Sequence, residues 1–207
     1  MKHTRGFRNG ILIVGDSLPP NIKTTSNIKS VLDPKHPVYN SLIVPIKYYL
    51  DNYLNSQGYQ LPLEKVGEDY FFYINAVDNP KTKSNPNLTK LKKEIKRPEH
   101  KIILSMGSFA FWAVEYCLNE DCSLNKKLSI VRLGEIFDKR MNSLSVQPKL
   151  NLPILHNVAN LKFEEAIKFI AEYKDRYISY FHYVGTQLGK LLLTNRDEFT
   201  PILRRGV

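Results

Sequence analysis

Four consecutive branched apolar residues, Ile11-Leu-Ile-Val14, run directly into Gly15-Asp-Ser-Leu-Pro-Pro20, and no other stretch limits the choice of fold as strongly. A run without polar alternation belongs to a strand covered on both faces, the situation of a parallel sheet sandwiched between helices. In open α/β sheets ligands bind beyond the carboxyl ends of the strands, so Asp16 and Ser17 stand where chemistry is expected. Gly15 suits a tight turn, and Pro19-Pro20 stiffen its far side. The plainer reading of the same letters is a strand-ending turn with a helix cap.

The chain beyond supplies the alternation that such a sheet needs. Asn21 to Pro37 is polar and broken by Pro34 and Pro37, which marks a long loop. Leu42, Ile46, Tyr49, Leu50 and Tyr53 recur at helical spacing and predict a helix over about 40–55, with Pro45 in its first turns and Gly58 ending it. Aromatic and branched residues from Asp69 to Val77 predict a second strand, followed by a polar turn from Asn75 to Pro86 and a basic helix from about Leu88 to Arg97. Lys101 to Met106 reads as a third strand that Gly107-Ser108 turn into a helix carrying Phe109, Ala110, Ala113, Val114 and Cys117 on one face.

Leu128 to Leu133 reads as a short strand before Gly134, and Asn151 to Leu155 as another before His156. A helix is expected from Leu161 to Lys174, capped by Asn160, with Phe163, Ala166, Ile167, Ile170 and Tyr173 as its buried stripe. Tyr177 to Leu193 predicts a last helix despite Gly185 and Gly189. The βαβα order implies a single α/β domain over residues 1–207, a three-layer α/β/α sandwich with a central, mostly parallel four- to five-stranded sheet.

Composition narrows the partners. Thirty Lys and Arg against twenty Asp and Glu leave a formal net charge of +10, which suits a polyanion. Lys81, Lys83, Lys90, Lys92, Lys93, Lys96, Arg97 and Lys101 are offset locally only by Glu94 and Glu99; such a run serves either as a solvated helix face or as a phosphate-contacting one. No apolar stretch approaches the roughly 20 residues of a membrane span, and Met1 to Arg8 lacks the apolar core of a secretion signal, so a cytoplasmic protein is expected. Cys117 and Cys122 are too few for a disulfide scaffold or a four-ligand metal site and are read as free thiols, Cys117 in the core.

Two family patterns touch this chain. Gly15-Asp-Ser-Leu18 resembles the opening block of the GDSL esterases, in which the serine is the nucleophile. The matching Asp-x-x-His occurs only as Asp33-Pro-Lys-His36, so a Ser17 hydrolase would need His156 or His182 as its base. The wider succession is similar to the uracil-DNA glycosylase superfamily, closest in motif order to its family 4 type. It comprises Gly-acid at the first strand end, Pro37-Val-Tyr39 before a helix, Tyr73-Ile-Asn-Ala-Val77, Ile102 to Ala110, Arg132-Leu-Gly134 and Pro153-Ile-Leu-His156.

That resemblance implies roles. Asp16 would hold the attacking water and stabilise positive charge on the sugar, and His156 would donate to the departing base. Asn75 would read the edge of a flipped base, with Tyr39 stacking on it; Val38 is the other alignment for the stacking position. Ser17, Lys81, Lys83 and Ser108 would contact phosphates, although turn and cap roles also fit the two serines. The implied partner is DNA, duplex or single-stranded, bound by a monomer that needs no other protein, nucleoid-associated in a bacterium. The family 4 iron-sulfur cysteines are absent, and no metal or other cofactor is expected. His156 is followed by Asn-Val-Ala-Asn where relatives have Pro-Ser, and Leu161 falls one residue beyond their wedge position. A non-catalytic nucleic-acid-binding relative of the same fold is the remaining alternative.

Overall fold

The computed structural model describes residues 10–17, 39–61, 71–77, 81, 83, 87–119, 127–143, 146, 149–155, 166, 168–173, 175–199 and 203–205. In chain order the elements are β1 (Gly10–Ser17), a π-helical turn (Tyr39–Ile43) leading into α1 (Val44–Ser56), β2 (Tyr59–Gln60), β3 (Phe71–Val77), α2 (Thr89–Ile95), β4 (His100–Met106), α3 (Gly107–Leu118), α4 (Ile130–Met141), β5 (Leu150–Ile154), a 3-10 helix (Lys168–Tyr173), α5 (Tyr180–Thr194) and β6 (Arg204–Arg205). Four strands form one sheet in the order β3-β1-β4-β5, every pair parallel. β2 and β6 pair antiparallel in a separate two-stranded ribbon that the sequence did not suggest.

β1 lies inside the sheet, and Ile11 to Val14 are 0 % exposed, as an unbroken apolar run requires. Its side chains alternate between two cores. Ile11 and Ile13 pack with Ile46 and Leu50 of α1, Leu133 and Phe137 of α4, and Val184 and Leu188 of α5. Leu12 and Val14 pack with Leu91 and Ile95 of α2 and with Ala110, Ala113, Val114 and Cys117 of α3. The layers are therefore α/β/α. Each fully buried Ile or Leu contributes about 1.5–3 kcal/mol.

Local chemistry sets most boundaries as expected. Pro45 sits in the first turn of α1, and Gly58 follows its end at φ 75°. Gly107 adopts φ 83° and turns β4 straight into α3. Gly185 and Gly189 do not weaken α5 but let α1 approach it: a Cβ on Gly185 would lie 2.7 Å from the Ile46 carbonyl, and one on Gly189 2.3 Å from the Tyr53 ring.

Two expectations are corrected. The segment Leu128 to Leu133 is not a strand but the entry to α4, where the Ser129 Oγ accepts the Arg132 N–H at 3.2 Å. Leu133, Phe137 and Met141 then recur every fourth residue and bury one helical stripe, a period that overrides the β preference of Ile130 and Val131. Likewise Gly15 is not in a turn: β1 continues through Ser17, which pairs with Val77 of β3. Of the helix expected over 161–174, Ala166 is helical and Lys168–Tyr173 is a 3-10 helix; Asn160 and Phe163 lie outside the described residues, as does the loop expected over 21–37.

A polar clamp, with Glu115 and Asn151 buried and Arg140 half-buried, joins the far side of the sheet to α3 and α4. Arg140 donates bidentately to Glu115 (2.9 and 2.8 Å) and also to the Asn151 carbonyl at 2.5 Å. Asn151 Nδ2 donates to Glu115 at 2.7 Å, and the Ser105 hydroxyl donates to Asn151 Oδ1 at 2.5 Å. Glu115 is buried and fully partnered, so the arrangement fixes α3, α4, β4 and β5 against one another.

Candidate active site

After β1 the chain feeds α1 on one face of the sheet, and after β4 it feeds α3 on the opposite face. A crevice opens where neighbouring strands send their connections to opposite faces, so the carboxyl ends of β1 and β4 mark this fold's natural binding position. Asp16 stands at that end of β1. Its Oδ2 accepts from Lys83 Nζ at 2.7 Å, while its Oδ1 is buried and without a hydrogen-bond partner among the described residues. An orphaned carboxylate oxygen in such a place needs a donor, whether a water or a ligand group.

β3 supplies the neighbouring wall. Tyr73 and Asn75 are two residues apart on one strand and so share a face, and the Tyr73 hydroxyl donates to Asn75 Oδ1 at 2.5 Å. With one Oδ1 lone pair engaged, Asn75 offers a ligand its Nδ2–H₂ donors and the second Oδ1 lone pair. Gly15 is the register partner of Asn75, and here a side chain is excluded by space: a Cβ would lie 2.1 Å from Tyr73 Oη and 2.8 Å from Asn75 Oδ1. Burial, and secondarily the negative charge of Asp16, push the Tyr73 phenol well above its ordinary value, so it remains a proton donor.

The β4 side contributes Phe109, whose ring centroid lies 5.3 Å from Lys83 Nζ, a cation-π distance. Ser108, expected to meet phosphate, instead binds both backbone groups of Leu128: it donates to the carbonyl at 3.2 Å and accepts from the N–H at 3.0 Å. Lys81 is exposed, two residues from Lys83 in sequence.

Asp16, Asn75 and Lys83 are thus brought together, joined by Tyr73, Phe109 and Gly15, to which the sequence had assigned no role in the site. The parity of Tyr73 with Asn75 was readable on the strand; the approach of Lys83 to Phe109 was not, because it is a tertiary contact between residues far apart in the chain. Tyr39 begins the π-helical turn and Ser17 ends β1, but their side chains are not among the described positions. His156 also lies outside the described residues. The strand that delivers it is firmly held: the Leu155 N–H donates to Tyr180 Oη at 2.9 Å, and Tyr180 is buried in the core. Arg132, the expected Arg-Gly block, is exposed on α4 and paired with Glu135 at 2.6 Å.

The alternative base, His182, lies between the rings of Tyr49 (5.0 Å) and Tyr177 (5.2 Å), and its Nδ1 accepts the Ile178 N–H at 3.3 Å. Fold and site together define a parallel α/β/α sandwich that presents a carboxylate, an amine and an amide at its switch point. Comparison with known protein families, with curated proteins and with solved structures gave no match.

Proposed function

We propose that the protein is a DNA glycosylase of the uracil-DNA glycosylase type, which hydrolyses the N-glycosidic bond of a base flipped out of the strand. The observation that carries this reading is the Asp16 carboxylate at the end of β1, with one oxygen on Lys83 and the other buried and without a partner among the described residues, beside the Tyr73–Asn75 pair. Breaking the bond expels the base as an anion and leaves an oxocarbenium-like sugar, so a carboxylate belongs under the sugar and donors belong around the base. Asp16 Oδ1 is suited to hold the water or face the cationic sugar. Asn75, turned by Tyr73 so that its amide donates, is suited to a carbonyl on the base edge. His156 supplies the second donor, and Tyr39 the stacking surface, in the same scheme. The net charge of +10 and the lysines of α2 favour the phosphate backbone.

The test is base release and alkali-revealed strand breakage on labelled duplex and single-stranded oligonucleotides carrying uracil or other deaminated bases. Release by the native protein, abolished in Asp16→Ala and His156→Ala, is the expected result. No release from any lesion by folded protein, with salt-sensitive DNA binding retained, would replace the glycosylase with a binding module. Labelling of Ser17 by a fluorophosphonate would replace it with the hydrolase.

A further inference from the structure

We propose that Lys83 is a nucleophilic amine that forms an imine with the C1′ aldehyde of an abasic sugar and cleaves the strand by β-elimination, a second activity that rests on the glycosylase reading of the same site. Its Nζ lies 2.7 Å from Asp16 Oδ2, the carboxylate assigned to the sugar, rather than out among the exposed lysines of α2. The side chain is 35 % exposed, so a bound sugar can reach the amine. The Phe109 ring centroid lies 5.3 Å from the ammonium, a cation-π contact that restrains the long side chain beside Asp16.

The chemistry balances with the groups present. Base hydrolysis leaves a hemiacetal at C1′, which opens to the aldehyde. A proton passes from Lys83 Nζ to Asp16 Oδ2, and the freed lone pair forms the N–C1′ bond as the carbonyl π electrons move to oxygen. That oxygen takes a proton from the amine nitrogen and then the one held by Asp16, leaving as water and giving the protonated imine. The restored carboxylate removes the C2′ proton; the C2′–H electrons form a C1′=C2′ enamine while the C1′=N π pair returns to nitrogen. The enamine then expels the 3′-phosphate with the C3′–O pair, which breaks the strand. Water hydrolyses the unsaturated imine and returns the amine. Neither an oxidant nor a reductant is required.

The experiment uses the full chain with labelled duplex and single-stranded oligonucleotides that already contain an abasic site, with and without cyanoborohydride. Expected are a reduced protein–DNA adduct mapping by mass spectrometry to Lys83, and strand cleavage without cyanoborohydride. Both should fall roughly tenfold or more in Lys83→Gln and in Lys83→Arg, which keeps the charge but cannot form the imine. Absence of an adduct with native protein, or an adduct mapping to another amine, would overturn the proposal and leave Lys83 a phosphate or carboxylate contact. The preformed abasic site bypasses base release. Failure of the glycosylase reading therefore shows only in the release assay, and failure of the Lys83 proposal only here.

Discussion

At the scale of single residues the site depends on an absence. Gly15 lies in the middle of a hydrogen-bonded strand, and its missing side chain is what lets the Tyr73 hydroxyl reach Asn75 Oδ1. Gly15→Ala is expected to push Tyr73 aside at a cost of about 1–3 kcal/mol, a figure typical of overpacking, and to lower base release more than DNA affinity. Denaturant unfolding together with both assays checks it; unchanged stability and unchanged release would mean that Tyr73 does not set the amide. A second expectation concerns high pH. Burial raises the Tyr73 and Tyr180 phenols above the ordinary 10.0, so in the folded chain they keep protons that the unfolded chain loses. Their contribution is fully present below about pH 10 and declines as pH rises toward the folded values. Tyr73→Phe and Tyr180→Phe should each flatten the alkaline limb of a stability–pH curve, and a limb of native steepness in both would contradict the burial argument.

Among the elements, what a segment reveals depends on whether its partners are local. β1, β3 and β4 are legible because unbroken apolar and aromatic runs have few other uses, and α5 because its period survives two glycines. α4 misleads because the β-branched Ile130 and Val131 outweigh, in a short window, a stripe that becomes visible only at Phe137 and Met141. The clamp of Arg140, Glu115 and Asn151 is invisible in principle: Glu115 lies 25 residues from Arg140 and 36 from Asn151, and only the packing of α3 on β5 brings them together. Arg140→Met removes the guanidinium that partners the buried Glu115 carboxyl, and should destabilise the fold by about 1–3 kcal/mol. The double variant with Glu115→Leu should recover much of that loss. If the single variant unfolds at the native denaturant midpoint, the clamp is not structural.

For the molecule as a whole, sheet order connects sequence to function. Placing β1 between β3 and β4 sends the following segments to opposite faces, and Asp16, Asn75, Lys83 and Phe109 lie together at the carboxyl ends of these strands. The candidate carboxylate and amide were readable from their positions at strand ends; the amine's pairing with the carboxylate was not, because the two residues lie 67 positions apart in the chain. The most direct measurement is the single-turnover rate of base release for native protein and Asp16→Asn, on whichever deaminated base the native chain releases, with DNA affinity measured on the same samples. A fall of about a hundredfold or more in rate at unchanged affinity is the predicted result, since the variant keeps the shape and loses only the charge under the sugar. An Asp16→Asn variant that releases base at the native rate would contradict the assignment of the β1 carboxylate as the catalytic group.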